Sequence, residues 1–148
     1  MKKRDVLRIL DANFNRCREG LRVCEEFVRF LLNDETLTRR IKKARHSVSD
    51  CIETIGVPVI DIVSARNASE DVGREASALE NKRRNALDLF LANAERAKES
   101  LRVLEEVSKF IHTSKATKFK KIRFEVYEIE KKALPKLEAL RDHRSGDL

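Results

Sequence analysis

A stretch of nineteen residues occurs twice in this chain of 148 residues, at 12–30 and again at 92–110. The copies read ANFNRCREGLRVCEEFVRF and ANAERAKESLRVLEEVSKF, and ten of the nineteen positions are identical. In both copies apolar residues recur at alternating steps of three and four, the spacing of an α-helix that packs against its neighbours. One helical unit is therefore used twice.

Each copy is followed by a second segment with the same helical period, so the repeating unit is a long helical hairpin. The first predicted helix runs from about Asp5 to Leu32, and the second ends at Gly56. The tetrapeptides KKAR at 42–45 and KKIR at 120–123 occupy corresponding places in the two second helices. Short connections make the helices of each pair antiparallel neighbours.

Two such hairpins close most economically into a four-helix bundle with pseudo-twofold symmetry. We therefore predict an all-α protein with one domain over 1–148, with repeat one at about 5–55 and repeat two at about 81–143. Two hairpins exchanged between chains satisfy the same pattern, so a homodimer stays open. Pro135 is expected to kink or interrupt the last helix, because proline removes a backbone donor.

Composition agrees with helices, since the chain has only four Gly and two Pro and 39% of its residues are charged. No run approaches the about 20 apolar residues of a membrane span, and the start MKKRDVLRIL lacks the core of a signal peptide. We expect a cytoplasmic protein with no membrane partner. The three cysteines lack metal-site spacing and are expected to be small core residues.

The net charge of +7 favours anionic ligands. Nucleic acid is not expected as a partner, because acidic residues alternate with the basic ones on the same face. The chain also offers one Tyr and no Trp for stacking on bases.

Asparagine and arginine interrupt the apolar side of the repeated helix at the same places in both copies. An arginine that faces the interior is costly unless it is paired, so its repetition predicts a polar pocket in the middle of the bundle. A small residue one turn later leaves room there, and a glutamate three residues later can orient the arginine. The set comprises Asn13, Arg16, Glu19 and Gly20 with their copies Asn93, Arg96, Glu99 and Ser100.

Two interpretations of this set stay open. A buried polar network can fix the register of a bundle, as single polar residues do in coiled coils. Alternatively it binds a ligand, and the donor fork of arginine favours phosphate or carboxylate. The other repeated charges are expected on the solvated face, with a contact between chains as the alternative: Arg22, Glu25 and Glu26 with Arg102, Glu105 and Glu106.

The connection between the repeats, about 56–78, is longer than the two to eight residues usual in bundles. Its apolar part, PVIDIV, is expected to pack on the bundle or form a short extended segment, and the rest to be an ordered charged loop. Arg66, Asp71, Gly73 and Arg74 lie there. Glycine lets the backbone approach a ligand, carboxylates hold Mg²⁺ and arginine meets phosphate, although a solvated turn explains the cluster equally well.

The motifs RILDANFNRCREGLRVCEEFVRF, LANAERAKESLRVLEEVSKF and ARNASEDVG resemble the helical domain found N-terminal to thiamine-phosphate synthase in some bacteria, which also occurs as a separate protein. Members of that family are described as monofunctional hydroxymethylpyrimidine-phosphate kinases. The resemblance implies phosphoryl transfer from ATP to the monophosphate in thiamine biosynthesis, with Mg²⁺ and without a tightly bound cofactor. Asn67 and Ala68 stand where the family form RDTxxDVG has Asp and Thr, which moves the metal assignment to Asp71.

Phosphoryl transfer depends mainly on positioning and charge neutralisation, which sets our assignment of roles. We predict Arg16 and Arg96 as catalytic residues that clamp phosphates, and Asp71 as a catalytic residue that binds Mg²⁺. Substrate and phosphate binding is predicted for Asn13, Asn93, Glu19, Glu99, Arg66 and Gly73.

The expected partners are a phosphorylated pyrimidine and ATP, together with a separate thiamine-phosphate synthase. The alternative is a non-catalytic helical module that binds a phosphorylated pyrimidine or docks on that synthase. A purely structural dimer leaves the ordered loop unexplained.

Overall fold

The computed structural model describes residues 2–73 and 84–144, which over these ranges form five helices and no strand. Helix α1 spans Lys3–Phe30, α2 Glu35–Glu53, α3 Val59–Ser64, α4 Ala86–Ser108 and α5 Thr113–Arg144. The neighbouring pairs of long helices are α1–α2, α1–α4, α4–α5 and α2–α5, a closed ring of four around one apolar core. The predicted all-α bundle is confirmed.

The two copies of the repeat, α1 and α4, pack antiparallel. Cys24 donates from Sγ to the carbonyl oxygen of Phe90 at 3.6 Å, and Gly20 lies against Asn93 and Ala97. Residue numbers therefore rise along α1 as they fall along α4, as a pseudo-twofold axis between them requires. The two seams are buried: Leu10, Cys17, Leu21, Cys24 and Val28 with Phe90, Ala94, Ala97, Leu101 and Leu104.

Gly20 brings the backbones of α1 and α4 into contact. A Cβ atom on Gly20 would lie 2.7 Å from the carbonyl oxygen of Asn93, closer than such atoms approach in folded proteins. The prediction that Gly20 leaves room for a polar pocket is wrong, because the backbone of Asn93 occupies that space.

The repeated Glu25 is buried, so its predicted place on the solvated face is wrong. Its carboxylate accepts from Arg45 Nε of α2 at 3.0 Å and from Arg22 Nη1 at 3.3 Å. Arg22 also pairs with Glu26 at 2.7 Å. A buried carboxylate needs such partners, and here they tie α1 to α2.

The second hairpin repeats this arrangement. Glu105 is buried and accepts from Arg123 Nη2 of α5 at 2.8 Å and from Arg102 Nη1 at 2.9 Å. The hydrogen bond with Glu105 raises the pKa of Arg123. Arg45 and Arg123 are the last residues of KKAR and KKIR. Each of these two similar tetrapeptides therefore contains the arginine that pairs with a buried glutamate.

The segment PVIDIV forms the short helix α3 and not an extended segment. The positive φ of Gly56 follows the end of α2, and Pro58 precedes α3, where its fixed φ favours a helix start. Ile62 and Ala65 are buried, and α3 packs on α1. The last part of the predicted loop, including Arg74, lies outside the described residues.

Pro135 does not interrupt α5, which is continuous through it. Pro135 and Lys131 are both exposed, so water can satisfy the carbonyl that loses its backbone donor. The cysteines are buried free thiols, as predicted, and burial raises the pKa of Cys17 to about 12. Across 2–73 and 84–144, no helix is both long and apolar enough to cross a membrane.

Replacing Gly20 with alanine is expected to destabilise the protein, although alanine normally favours a helix over glycine by about 1 kcal/mol. The new Cβ collides with the α4 backbone, so the helices must separate, and we expect a loss of about 1–3 kcal/mol in the free energy of unfolding. Urea unfolding followed by circular dichroism measures it. Glu99→Ala, at an exposed position, should change stability by less than about 0.5 kcal/mol. A stabilised Gly20→Ala variant would contradict the close contact.

The Glu25–Arg45 pair should show a strong coupling in a double-mutant cycle of alanine substitutions. Both side chains are largely buried, so we expect a coupling free energy above about 1 kcal/mol. The exposed pair Glu35–Arg39 is the matched control, with an expected coupling of about 0.3–0.5 kcal/mol. Equal couplings for the two pairs would show that burial adds nothing to the α1–α2 contact.

Candidate functional site

A cleft of about 650 Å³ lies between the N-terminal half of α1 and the segment that follows α3. Its volume is within the range of about 300–1,000 Å³ that is typical of small-molecule sites. The lining residues from α1 are Asp5, Arg8, Ile9, Asp11, Ala12, Asn13, Asn15, Arg16 and Glu19, and those from the segment are Arg66, Asn67, Ala68 and Asp71.

The cleft joins predicted site residues from two distant parts of the chain. The lining includes Asn13, Arg16, Glu19, Arg66 and Asp71. Gly73 is next to them, since its N–H donates to Asp71 Oδ1 at 2.9 Å. The copies from the second repeat do not line this cleft: Asn93, Arg96 and Glu99.

Arg16 and Arg96 are exposed, so the predicted pocket of arginines inside the bundle is wrong. Each lies at the border of the apolar side of its helix, where a long side chain extends outward and keeps its charge in water. Ion pairs among the described residues involve other cations, and neither arginine has an acidic partner there.

Asn13 and its copy Asn93 make the same local hydrogen bond. Asn13 Nδ2 donates to the Ile9 carbonyl at 2.9 Å, and Asn93 Nδ2 donates to the Leu89 carbonyl at 2.8 Å. This bond orients each amide and leaves Oδ1 as an acceptor. At the cleft, Asn13 therefore offers an acceptor to a ligand.

Asp11 is a cleft residue that the sequence interpretation missed. It is buried and holds Arg66 by two hydrogen bonds, from Nε to Oδ2 at 2.6 Å and from Nη2 to Oδ1 at 2.7 Å. The bond with Asp11 raises the pKa of Arg66. The second repeat has Leu91 at this place, so comparing the copies just outside the nineteen residues would have revealed Asp11 as a departure from the packing pattern.

Arg8 is the second missed residue, and its counterpart in the second repeat is Asp88. Because Asp11 neutralises Arg66, the free positive charges of the cleft are those of Arg8 and Arg16. Neither has an acidic partner among the described residues. Eight residues separate them, a rise of about 12 Å along α1.

Asp71 is exposed, and one of its carboxylate oxygens is engaged by the N–H of Gly73. Within the described ranges, no group of three or more His, Cys, Asp or Glu is arranged to hold a metal ion. Mg²⁺ commonly binds through one or two carboxylates with substrate phosphates and water. Asp71 fits that role as a single protein ligand.

Comparison with known proteins identifies the family. The profile of the ThiD2 family matches residues 8–132, most of the chain. This chain belongs to the ThiD2 family.

The chain also resembles curated proteins named thiamine-phosphate synthase. It is 37% identical over 127 residues to that of Rhodopirellula baltica, covering 85% of this chain and 33% of the relative. It is 37% identical over 126 residues to that of Synechocystis sp., covering 84% and 35%. This ThiD2-family chain thus spans about a third of the length of the curated relatives it matches. No solved structure matches it.

Replacing Asp11 with leucine, the residue of the second repeat, should release Arg66 and loosen the segment 66–73. We expect its amide hydrogens to exchange about tenfold faster, because local opening becomes easier by roughly 1.4 kcal/mol. Hydrogen exchange with mass spectrometry measures this, and circular dichroism should show unchanged helix content. Asp5→Leu, in the same cleft, is the control. Unchanged exchange in Asp11→Leu would mean that the ion pair does not hold the segment.

Proposed function

We propose that this chain is a hydroxymethylpyrimidine-phosphate kinase of thiamine biosynthesis, which transfers the γ-phosphoryl group of ATP to the monophosphate. Membership of the ThiD2 family supports it, as does the similarity to proteins named thiamine-phosphate synthase. The observation that carries it is the meeting of Asn13, Arg16 and Asp71 in one cleft of suitable volume.

The reaction joins two reactants that each carry several negative charges. A phosphate oxygen of the monophosphate attacks the γ-phosphorus of ATP, a new O–P bond forms, and the bond from that phosphorus to the β–γ bridging oxygen breaks, leaving ADP. Cations that hold the phosphates together lower the barrier. Arg8 and Arg16 have the free charge for this, and a guanidinium binds phosphate with two parallel hydrogen bonds.

The remaining cleft residues fit recognition of the pyrimidine. Asn13 Oδ1 accepts a hydrogen bond from an amino substituent of the ring, since its Nδ2 is already bound to Ile9. The ion pair between Asp11 and Arg66 keeps the segment with Asp71 beside α1. Asp71 would hold Mg²⁺, which neutralises phosphate charge when it is bound with ATP.

A non-catalytic module that binds a phosphorylated pyrimidine, or docks on thiamine-phosphate synthase, is the second candidate. It is favoured by one observation, that the described residues contain no preformed group of three metal ligands. A kinase compensates for this by taking further Mg²⁺ ligands from ATP and water, as cations held by few carboxylates do.

Release of ADP in a coupled assay with hydroxymethylpyrimidine phosphate, ATP and Mg²⁺ is the direct test, with ³¹P NMR to identify the diphosphate. We expect turnover by the natural chain. Arg16→Ala should lower kcat/KM by about 10- to 100-fold, the effect of losing a charged hydrogen bond. Lys43→Ala, which removes a positive charge from an exposed position on α2, is the matched control and should stay within twofold.

The two candidates separate in the same experiment. Binding of hydroxymethylpyrimidine phosphate without turnover, seen as a rise in Tm that Arg16→Ala abolishes, would replace the kinase by the binding module. Neither turnover nor a change in Tm would reject both.

A further inference from the structure

The repeat allows one copy to be compared with the other, and packing accounts for most of the ten shared residues. Leu21 and its copy lie in the core, and Arg22, Glu25 and Glu26 with their copies form the two networks. Two further pairs of charged residues are exposed and have no ion pair among the described residues: Arg16 with Arg96, and Glu19 with Glu99. Packing does not require these four residues in either copy.

The helix contact at Gly20 brings Arg96 to the edge of the cleft. The backbone N of Ala97 lies 3.5 Å from the Cβ position of Gly20, and that nitrogen is bonded to the carbonyl carbon of Arg96. Glu19, a lining residue of the cleft, directly precedes Gly20. Adding bond lengths places the Cα atoms of Arg96 and Glu19 within about 11 Å of each other.

Arg16 and Arg96 lie on the same outer side of the α1–α4 pair. Arg16 precedes Gly20 by four residues, so it lies about 40° around α1 from the contact, on the side away from the buried Leu21. Arg96 has the same relation to the buried Ser100 on α4. A twofold axis between antiparallel helices presents equivalent positions on one side, in agreement with the exposure of both arginines.

We propose that Arg96 and Arg16 form a second anion-binding subsite across the α1–α4 contact, which takes the polyphosphate of the nucleoside triphosphate. Arg8 and Arg16 then take the phosphate of the acceptor, an assignment that rests on the proposed kinase activity. The three arginines form a row, with a rise of about 12 Å from Arg8 to Arg16 and about 6 Å from Arg16 to the level of Gly20, beside Arg96. Arg16 stands between the two phosphates that exchange the phosphoryl group.

The chemistry of the two ends of this row agrees with that order of ligands. On the Arg8 side of Arg16, the cleft is lined by the amide side chains Asn13, Asn15 and Asn67, which can recognise a heterocycle. Arg96 is exposed, and the chain contains no glycine-rich phosphate loop. Guanidinium groups from two helices replace the backbone N–H groups of such a loop as phosphate donors.

Isothermal titration calorimetry of the full chain tests the subsite. The chain is titrated with a non-hydrolysable ATP analogue and, separately, with hydroxymethylpyrimidine phosphate. Arg96→Ala should raise the Kd for the analogue at least about tenfold and leave the Kd for the pyrimidine phosphate within twofold. Arg8→Ala should show the reverse pattern. Lys43→Ala removes the same charge elsewhere and should leave both within twofold, and circular dichroism checks that every variant is folded.

The outcomes separate the subsite from the proposed function. An unchanged Kd for the analogue in Arg96→Ala, or an equal loss for both ligands, would overturn the subsite even if the natural chain turns over. Binding of the analogue that depends on Arg96, in a chain that forms no diphosphate, would establish the subsite and reject the kinase.

Discussion

The contact between Gly20 and the backbone of Asn93 sets the geometry on which the rest of the molecule depends. It brings α1 and α4 closer than side chains allow, and it fixes their register about the pseudo-twofold axis. The register of α1 on α4 decides which of their residues lie on the same side of the helix pair. A shift of one turn would move Arg96 away from Glu19 and the cleft. Gly20 is needed for helix packing, and through this contact it also positions Arg96, an exposed residue that packing does not require.

Buried ion pairs complete each hairpin around that contact. Glu25 and Glu105 are desolvated, and such a charge is costly unless its partners satisfy it. Arg45 and Arg123 supply them from the second helices, so the pairs favour the one register of α1 on α2, and of α4 on α5, in which each glutamate is satisfied. The networks lie in the parts of the helices that carry no cleft residue. The N-terminal half of α1 is therefore free to differ in sequence from the corresponding part of α4.

The sequence allowed prediction of the helices, the hairpins and the bundle, because these depend on apolar period and repetition. The burial of individual side chains was harder to predict. The apolar period alone does not show whether a charged side chain at the border of the apolar side is buried or extends into solvent. Arg16 was placed inside and extends into water, whereas Glu25 was placed in water and is buried by a partner twenty residues away. Asp11 was missed because its partner, Arg66, is 55 residues distant and belongs to no periodic pattern.

The repetition also explains why the cleft occurs on only one side of a pseudo-symmetric scaffold, as the two different ligands of the proposed kinase require. Asp11 and Arg8 stand where the second repeat has Leu91 and Asp88, so only α1 can hold the segment that carries Arg66. The cleft is therefore built on one copy, while the arginine of the other copy remains beside it through the helix contact. A symmetric pair of sites would bind two identical molecules. In the proposed kinase, loss of symmetry at two positions would give the phosphoryl donor and acceptor separate places on either side of Arg16.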